Sequence, residues 1–202
     1  MPLLPAEPCH FPDNLFAEED PDSDGKWWVL HTKPRAEKAV ARSLHSHGVP
    51  FFLPVYEKSW RAKGRLQTSH LPLFPSYVFL RADGEGRTRA LETNQIATCI
   101  PVIDQRTLRG ELDGVYRVMT SGCPIGPESL LVPGTVATIT HGPLAGLEGK
   151  VLRRGSRLTL VLEVQMLRQG VAVEIENWMV EARSPRPEVP ERAEPGSPLP
   201  AR

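Results

Sequence analysis

The sequence predicts an α+β domain followed by a small all-β domain. In the first half, strand-like apolar runs come in groups, interrupted by a few stretches at helical spacing, and do not alternate strictly with helices. From Pro133 onward no helical period remains, and short alternating runs are separated by closely spaced turn residues. Between the halves lies SGCPIGPES (121–129), where two glycines and two prolines crowd together and read as a linker.

The elements follow in order. The first 25 residues are rich in Pro, Asp and Glu and predict a disordered extension. KWWVLHT (26–32) is a short apolar run with two indoles, hence a strand. Pro34 suits the first position of a helix, because its missing N–H is not needed there. Ala36, Ala39, Val40, Ser43, Leu44 and His47 then recur at spacings of three and four, and Gly48 ends the helix. PFFLPVY (50–56) predicts a strand, and KSWRAKGRLQTS (58–69) an exposed hairpin turning at Gly64. LPLFPSYVFL (71–80) predicts a strand that is apolar on both faces, so either both faces are buried or one is a docking surface. RTRALETN (87–94) predicts a short helix, ATCIPVID (97–104) a strand, and Leu108, Leu112, Val115 and Met119 one face of a longer helix. The expected first domain is an antiparallel sheet with helices on one side. In the second, GTVATIT, GKVLRR, SRLTLVLEV (156–164) and GVAVEIE (170–176) supply strands, with turns at HGPLAG, RRGS and RQG. The Gly- and Pro-rich turn and the period-two runs predict that residues 131–182 form a β-barrel without any partner. The tail from 183 is Pro-rich and predicts disorder.

Composition narrows the function. Twenty-four basic residues balance 24 acidic ones, so any basic surface must come from local clustering. Three cysteines with no C-x-x-C pair fit a reducing, cytoplasmic setting without a disulfide framework or zinc site. No apolar run approaches the roughly 18 residues needed to cross a bilayer.

Several motifs can be weighed directly. HGPLAGLEGKV (141–151) ends in Gly-Lys, but Leu144 and Val151 stand where a phosphate-binding loop needs Gly and Ser or Thr. It reads instead as a sharp turn holding Leu144 and Leu147 out as a small apolar contact. His45 and His47 lie two apart on a helix and point to different faces, which disfavours a metal site. Asp83-Gly-Glu-Gly reads as a loop, and no set of residues calls for catalysis or a cofactor. Arg35, Lys38 and Arg42 form a basic stripe on the first helix, with Lys33 just before it. Lys58, Arg61, Lys63 and Arg65, with Trp60 among them, form a second cluster. Each is a solvated face by default, and together they raise the prospect of nucleic-acid contact.

KWWVLHTKPRAEKAVARSL, LPLFPSYVFL and VPGTVATITHGPLAGLEGKV together resemble the bacterial NusG family of transcription elongation factors across residues 26–182. The resemblance implies an NGN domain (26–120) with a four-stranded antiparallel sheet and flanking helices, a linker (121–130) and an SH3-like KOW barrel (131–182). It implies a non-enzymatic elongation or antitermination factor that docks on the clamp helices of RNA polymerase. Phe74, Tyr77 and Phe79 would be the centre of that surface, with His31 and Val102 at its edge, while Val78 and Leu80 belong to the core. The Ser in F-P-S-Y, in place of the family's usual Gly, and the acidic extension resemble specialised members of the RfaH type. In those, Lys33, Arg35, Lys38 and Arg42 would face non-template DNA in a paused complex. Leu144 and Leu147 would then contact ribosomal protein S-ten or Rho. The rival expectations are an RNA-binding, ribosome-associated KOW protein and an enzyme on a ferredoxin-like fold.

Overall fold

The computed structural model describes residues 8–17, 25–62, 64–128, 135–154, 157–176 and 179–182. The expected disorder at 1–7, 18–24 and 183–202, and the expected linker and barrel residues at 129–134, lie outside the described residues.

The first half comprises β1 (His10–Phe11), β2 (Lys26–Thr32), α1 (Glu37–Ser46), β3 (Phe51–Phe52), β4 (Val55–Ala62), β5 (Arg65–Pro72), β6 (Tyr77–Ala82), α2 (Gly84–Glu92), β7 (Ile96–Pro101) and α3 (Gln105–Thr120). Five of the strands form an antiparallel sheet in the order β1-β3-β6-β2-β7, and β4 and β5 pair only with each other. The alternating side chains of β2 and β6 divide between two layers. Leu30, Val78 and Leu80 pack with α1 residues Val40, Ala41 and Leu44. Trp27, Val29 and Phe79 pack with α3 residues Leu108, Leu112, Val115 and Val118. Helices therefore cover both faces, not one. That is why 77–80 is apolar throughout: Val78 and Leu80 fill one layer and Phe79 the other.

The fifth strand comes from the extension expected to be disordered. His10 pairs with Phe52 and Phe11 with Phe51, and the Leu53 N–H donates to the Cys9 carbonyl at 2.6 Å. Leu15 is buried, and the Phe16 ring lies 5.0 Å from those of Phe52 and Tyr116. Burying such side chains is worth about 1.5–3 kcal/mol each. Averaging the composition over 25 residues hides these few apolar groups among Asp, Glu and Pro.

Boundaries differ from expectation where local geometry intervenes. Pro34 lies in the turn before α1, because Arg35 takes a left-handed φ of 62°. The buried face of α1 is Glu37, Val40, Ala41 and Leu44, and His47 is exposed. The expected loop at Asp83-Gly-Glu-Gly instead starts α2, with the Asp83 carboxylate accepting from the Gly86 N–H at 2.8 Å as an N-cap. The strand expected over 71–80 is two strands. β5 ends at Pro72 and β6 begins at Tyr77, with Ser76 left-handed between them at φ 66°.

The second half holds β8 (Ile125–Glu128), β9 (Thr135–Ile139), β10 (Glu148–Arg154), β11 (Arg157–Val164), a 3-10 turn (Gln165–Leu167), β12 (Gln169–Ile175) and β13 (Val180–Ala182). They form an antiparallel sheet in the order β13-β9-β10-β11-β12-β8. β8 falls inside the expected linker. It pairs with β12, Ile125 opposite Val173, and lies at the sheet edge, where Pro127 is tolerated. One continuous buried cluster contains Phe79, Leu112 and Val115 of the first half together with Ile139, Leu144, Leu160 and Val173 of the second.

Candidate functional site

The five residues expected to meet a polymerase separate into three groups. Phe74 and Phe79 are 1% and 0% exposed, their rings 5.8 Å apart and perpendicular, in the layer under α3. They hold the domain together and offer no surface, so their expected place at the centre of a docking face is corrected. His31 and Tyr77 are cross-strand partners on β2 and β6 with rings 5.1 Å apart, both half-buried. They share the α3-side face of the sheet. Val102 is at the other end of β2: Trp28 pairs with Pro101, whereas His31 pairs with Thr98. The Gln105 amide donates to both the Val102 and the Trp27 carbonyls, at 2.9 and 3.0 Å. A separation of about four residues along β2 is roughly 13 Å, so Val102 does not join His31 and Tyr77. Thr98 and Ile100 on the edge strand β7 do, since they alternate onto the same face. They carried too weak a pattern, in a strand broken by Cys99 and Pro101, to be singled out from sequence.

This corner is held by its turn. The Thr32 N–H donates to the Ser76 carbonyl at 2.8 Å, and the Ser76 N–H donates to the buried Glu37 carboxylate at 2.6 Å. A left-handed residue at 76 favours Gly. Here Ser takes it, anchored through its backbone to the first turn of α1.

Of the basic residues, Lys33, Arg35 and Arg42 are exposed and Lys38 is half-buried. Lys33 and Arg35 belong to the β2–α1 turn and Lys38 and Arg42 to α1, so they do not form one helical stripe. The second cluster lies on the β4–β5 ribbon, where Lys58, Trp60, Arg61 and Arg65 are exposed.

The turn between β9 and β10 has the expected sharpness. Gly142 and Gly146 are left-handed at φ 86° and 85°, and a Cβ on Gly149 would lie 2.7 Å from the Val161 carbonyl oxygen. Leu144 and Leu147, expected to be held out for a partner, are 0% and 7% exposed. What meets this turn is α3 of the same chain. A Cβ on Gly114 would lie 3.7 Å from both Leu147 Cδ2 and Leu162 Cδ1. The Arg117 guanidinium donates to the Ala145 carbonyl, and the Gln165 N–H donates to the Glu111 carboxylate at 3.4 Å. Burial pushes the Glu111 carboxyl above its usual range, with Asp104 and Glu163 adding to the rise and the Gln165 N–H opposing it. Gly114, Arg117 and Glu111 were not foreseen. The signal was there in Gly114, because a glycine costs a helix about 1 kcal/mol and so can mark a close approach; Gly110, one turn earlier, has open space where its Cβ would be.

The chain matches the NusG family, described as transcription termination factor nusG, over residues 25–126. No curated protein matches it. Among solved structures it is similar to one described as domain interaction in Thermotoga maritima NusG, with 16% sequence identity, 80% of this chain and 98% of that one covered, and a TM-score of 0.47. The family match spans half of the 202 residues and takes in the whole sheet from β2 to β7 with its three helices, and the chain belongs to the NusG family of transcription factors.

Proposed function

We infer that this chain is an elongation factor of the antitermination type that docks on the clamp helices of RNA polymerase through one corner of its N-terminal sheet. The observation that carries this reading is the half-buried pair His31–Tyr77, set beside Thr98 and Ile100 on a face that is otherwise closed by α3. An aromatic resting on a rigid, buried aromatic layer is the kind of anchor that dominates interface energetics. The exposed Lys33, Arg35 and Arg42 would meet nucleic acid in the transcribing complex. The chain would divide into an NGN domain and a KOW domain, the second expected from 131 and read here as starting at Ile125, a reading supported by the pairing of β8 with β12. Its turn at Leu144 and Leu147 would recruit a further protein, ribosomal protein S-ten or Rho, once α3 releases it. The test is binding of the full chain to RNA polymerase core enzyme. Tyr77→Ala should weaken binding by about thirtyfold, the equivalent of about 2 kcal/mol for an interface anchor, while the chain stays fully folded at the temperature of the assay. Undiminished binding would remove this corner from the docking surface.

A further inference from the structure

The ribbon formed by β4 and β5 is rooted in the fold by Val55 and Tyr56, which pack against the two core layers, and projects beyond them. Its strands run in register from Val55 opposite Pro72 to Ala62 opposite Arg65, leaving two residues for the turn. Gly64 in that turn is left-handed at φ 76°. From Glu57 to Arg61 and from Gly64 to Thr68 every residue whose side chain is described is exposed, so the ribbon projects with both faces in solvent. A two-stranded ribbon without a third strand or a covering helix is marginally stable by itself in water. Yet this one carries Trp60 at 42% and Leu66 at 71% exposure. The single acidic residue on the two strands is Glu57.

The register sorts these side chains. Paired residues share a face, and neighbours along a strand alternate. Lys58 with Ser69 and Trp60 with Gln67 therefore lie on one face, with Arg65, two residues before Gln67, on the same side. Glu57 with His70, Ser59 with Thr68, and Arg61 with Leu66 lie on the other, where the Ser59 and Thr68 hydroxyls hydrogen-bond at 3.0 Å. The first face has two cations, an amide, a hydroxyl and an indole, and no carboxylate.

We propose that this ribbon is a duplex-DNA contact, inserting the Lys58–Trp60–Arg65–Gln67 face into the major groove. The charge selects a polyanion: the chain is neutral overall, and this face is positive. The shape selects the form. Single-stranded nucleic acid is held in grooves that track its backbone, whereas this element protrudes. The B-DNA major groove admits a two-stranded ribbon, and the deep, narrow major groove of duplex RNA does not. Lys58 and Arg65 would meet phosphates, Gln67 would reach base edges, and Trp60 would supply the apolar contact that thymine methyl groups accept.

The test uses the full chain and a fluorescent DNA duplex of mixed sequence, without polymerase, so it stands or falls apart from the docking reading. Binding should be measurable at about 50 mM salt and fall steeply toward 200 mM. Lys58→Gln with Arg65→Gln should weaken it at least tenfold and reduce the slope of log K against log salt by about 1.8, the release from two phosphates. Arg61→Gln, on the opposite face, should have a clearly smaller effect. Amide chemical shifts of residues 57–69 should move on duplex addition, which reads the contact without any substitution. Absence of duplex binding, an unchanged affinity in the double variant, shifts confined to other segments, or equal affinity for a single strand or for duplex RNA of the same sequence would each overturn the proposal.

Discussion

Two apolar stretches stand out in this sequence, 74–79 and 144–147, and the fold treats them differently. Phe74 and Phe79 are buried by their own domain, between the sheet and the inner side of α3. Leu144 and Leu147 close a turn of the other domain, which meets the outer side of the same helix at Gly114 and Arg117. Burial is nearly complete in both, but its cause is not the same. An intradomain layer cannot be uncovered without unfolding. The contact between the two halves is of another kind, because the strands of the second sheet have a ladder of their own that does not run through α3. α3 is thus a shared wall, and the expectation is that only the second stretch can be released from it without unfolding.

The largest effect separates the first stretch from its exposed neighbour. Phe79→Ala should cost about 3–5 kcal/mol of stability, the range for removing a fully buried aromatic, read from denaturant unfolding. Tyr77→Ala, two residues away on the same face but half in solvent, should cost about 1 kcal/mol. Equal losses would mean that the corner at Tyr77 is core as well, and that no docking surface survives on this face.

The intermediate effect concerns the shared wall. Gly114→Ala places a Cβ 3.7 Å from Leu147 and Leu162, an ordinary contact, and should leave the domains packed while the helix gains up to about 1 kcal/mol. Gly114→Leu overfills the same space, which costs typically about 1–3 kcal/mol. This cost falls on the interdomain contact, so the domains should separate and tumble independently, with each set of strand amides keeping its chemical shifts. NMR relaxation of the two variants reads this directly. Joint tumbling in Gly114→Leu would show that the contact at α3 is not what holds the halves together.

The sequence made the ladder elements legible because they obey simple periods. The alternation over 156–164 and 170–176 recurs as β11 and β12, and Leu108, Leu112 and Val115 recur as the buried face of α3. The ribbon turning at Gly64 was equally plain. What was not legible depended on which surfaces meet. Alternation placed Phe79 opposite Val78 correctly, but could not say that a third helix covers the Phe79 face. Nor could the apolar turn at Leu144 reveal that its partner lies in the same chain. Phe11, Leu15 and Phe16 were diluted by acidic neighbours, although three large apolar groups within six residues are a local signal that averaging removes. Residues of the α3 outer face left only the helical Gly114 as a trace.

The smallest expected effect is titration of the shared wall. Glu111 faces Gln165 across the contact, with Asp104 at the start of its own helix and Glu163, paired with Lys150 at 2.8 Å, on β11. Burial, then the two neighbouring carboxylates, raise its carboxyl in the packed state. When the domains separate, burial and Glu163 are removed, and the group returns toward the ordinary carboxylate value. The packed state therefore binds more protons than the separated one, so packing is favoured by acid. Glu111's contribution is fully present below the ordinary carboxylate value and is lost as pH rises through the raised one; at neutral pH the contact carries the cost of a buried charge. Glu111→Gln removes that cost and can still accept from the Gln165 N–H. The variant should be more fully packed at neutral pH and should lose the Glu111 part of the pH dependence above the ordinary carboxylate value. The packed fraction, read by energy transfer between a donor and an acceptor on the two domains, checks this. A packed fraction in Glu111→Gln that still falls across that range as steeply as in the parent chain would assign the titration to another group and leave Glu111 as a hydrogen-bond acceptor alone.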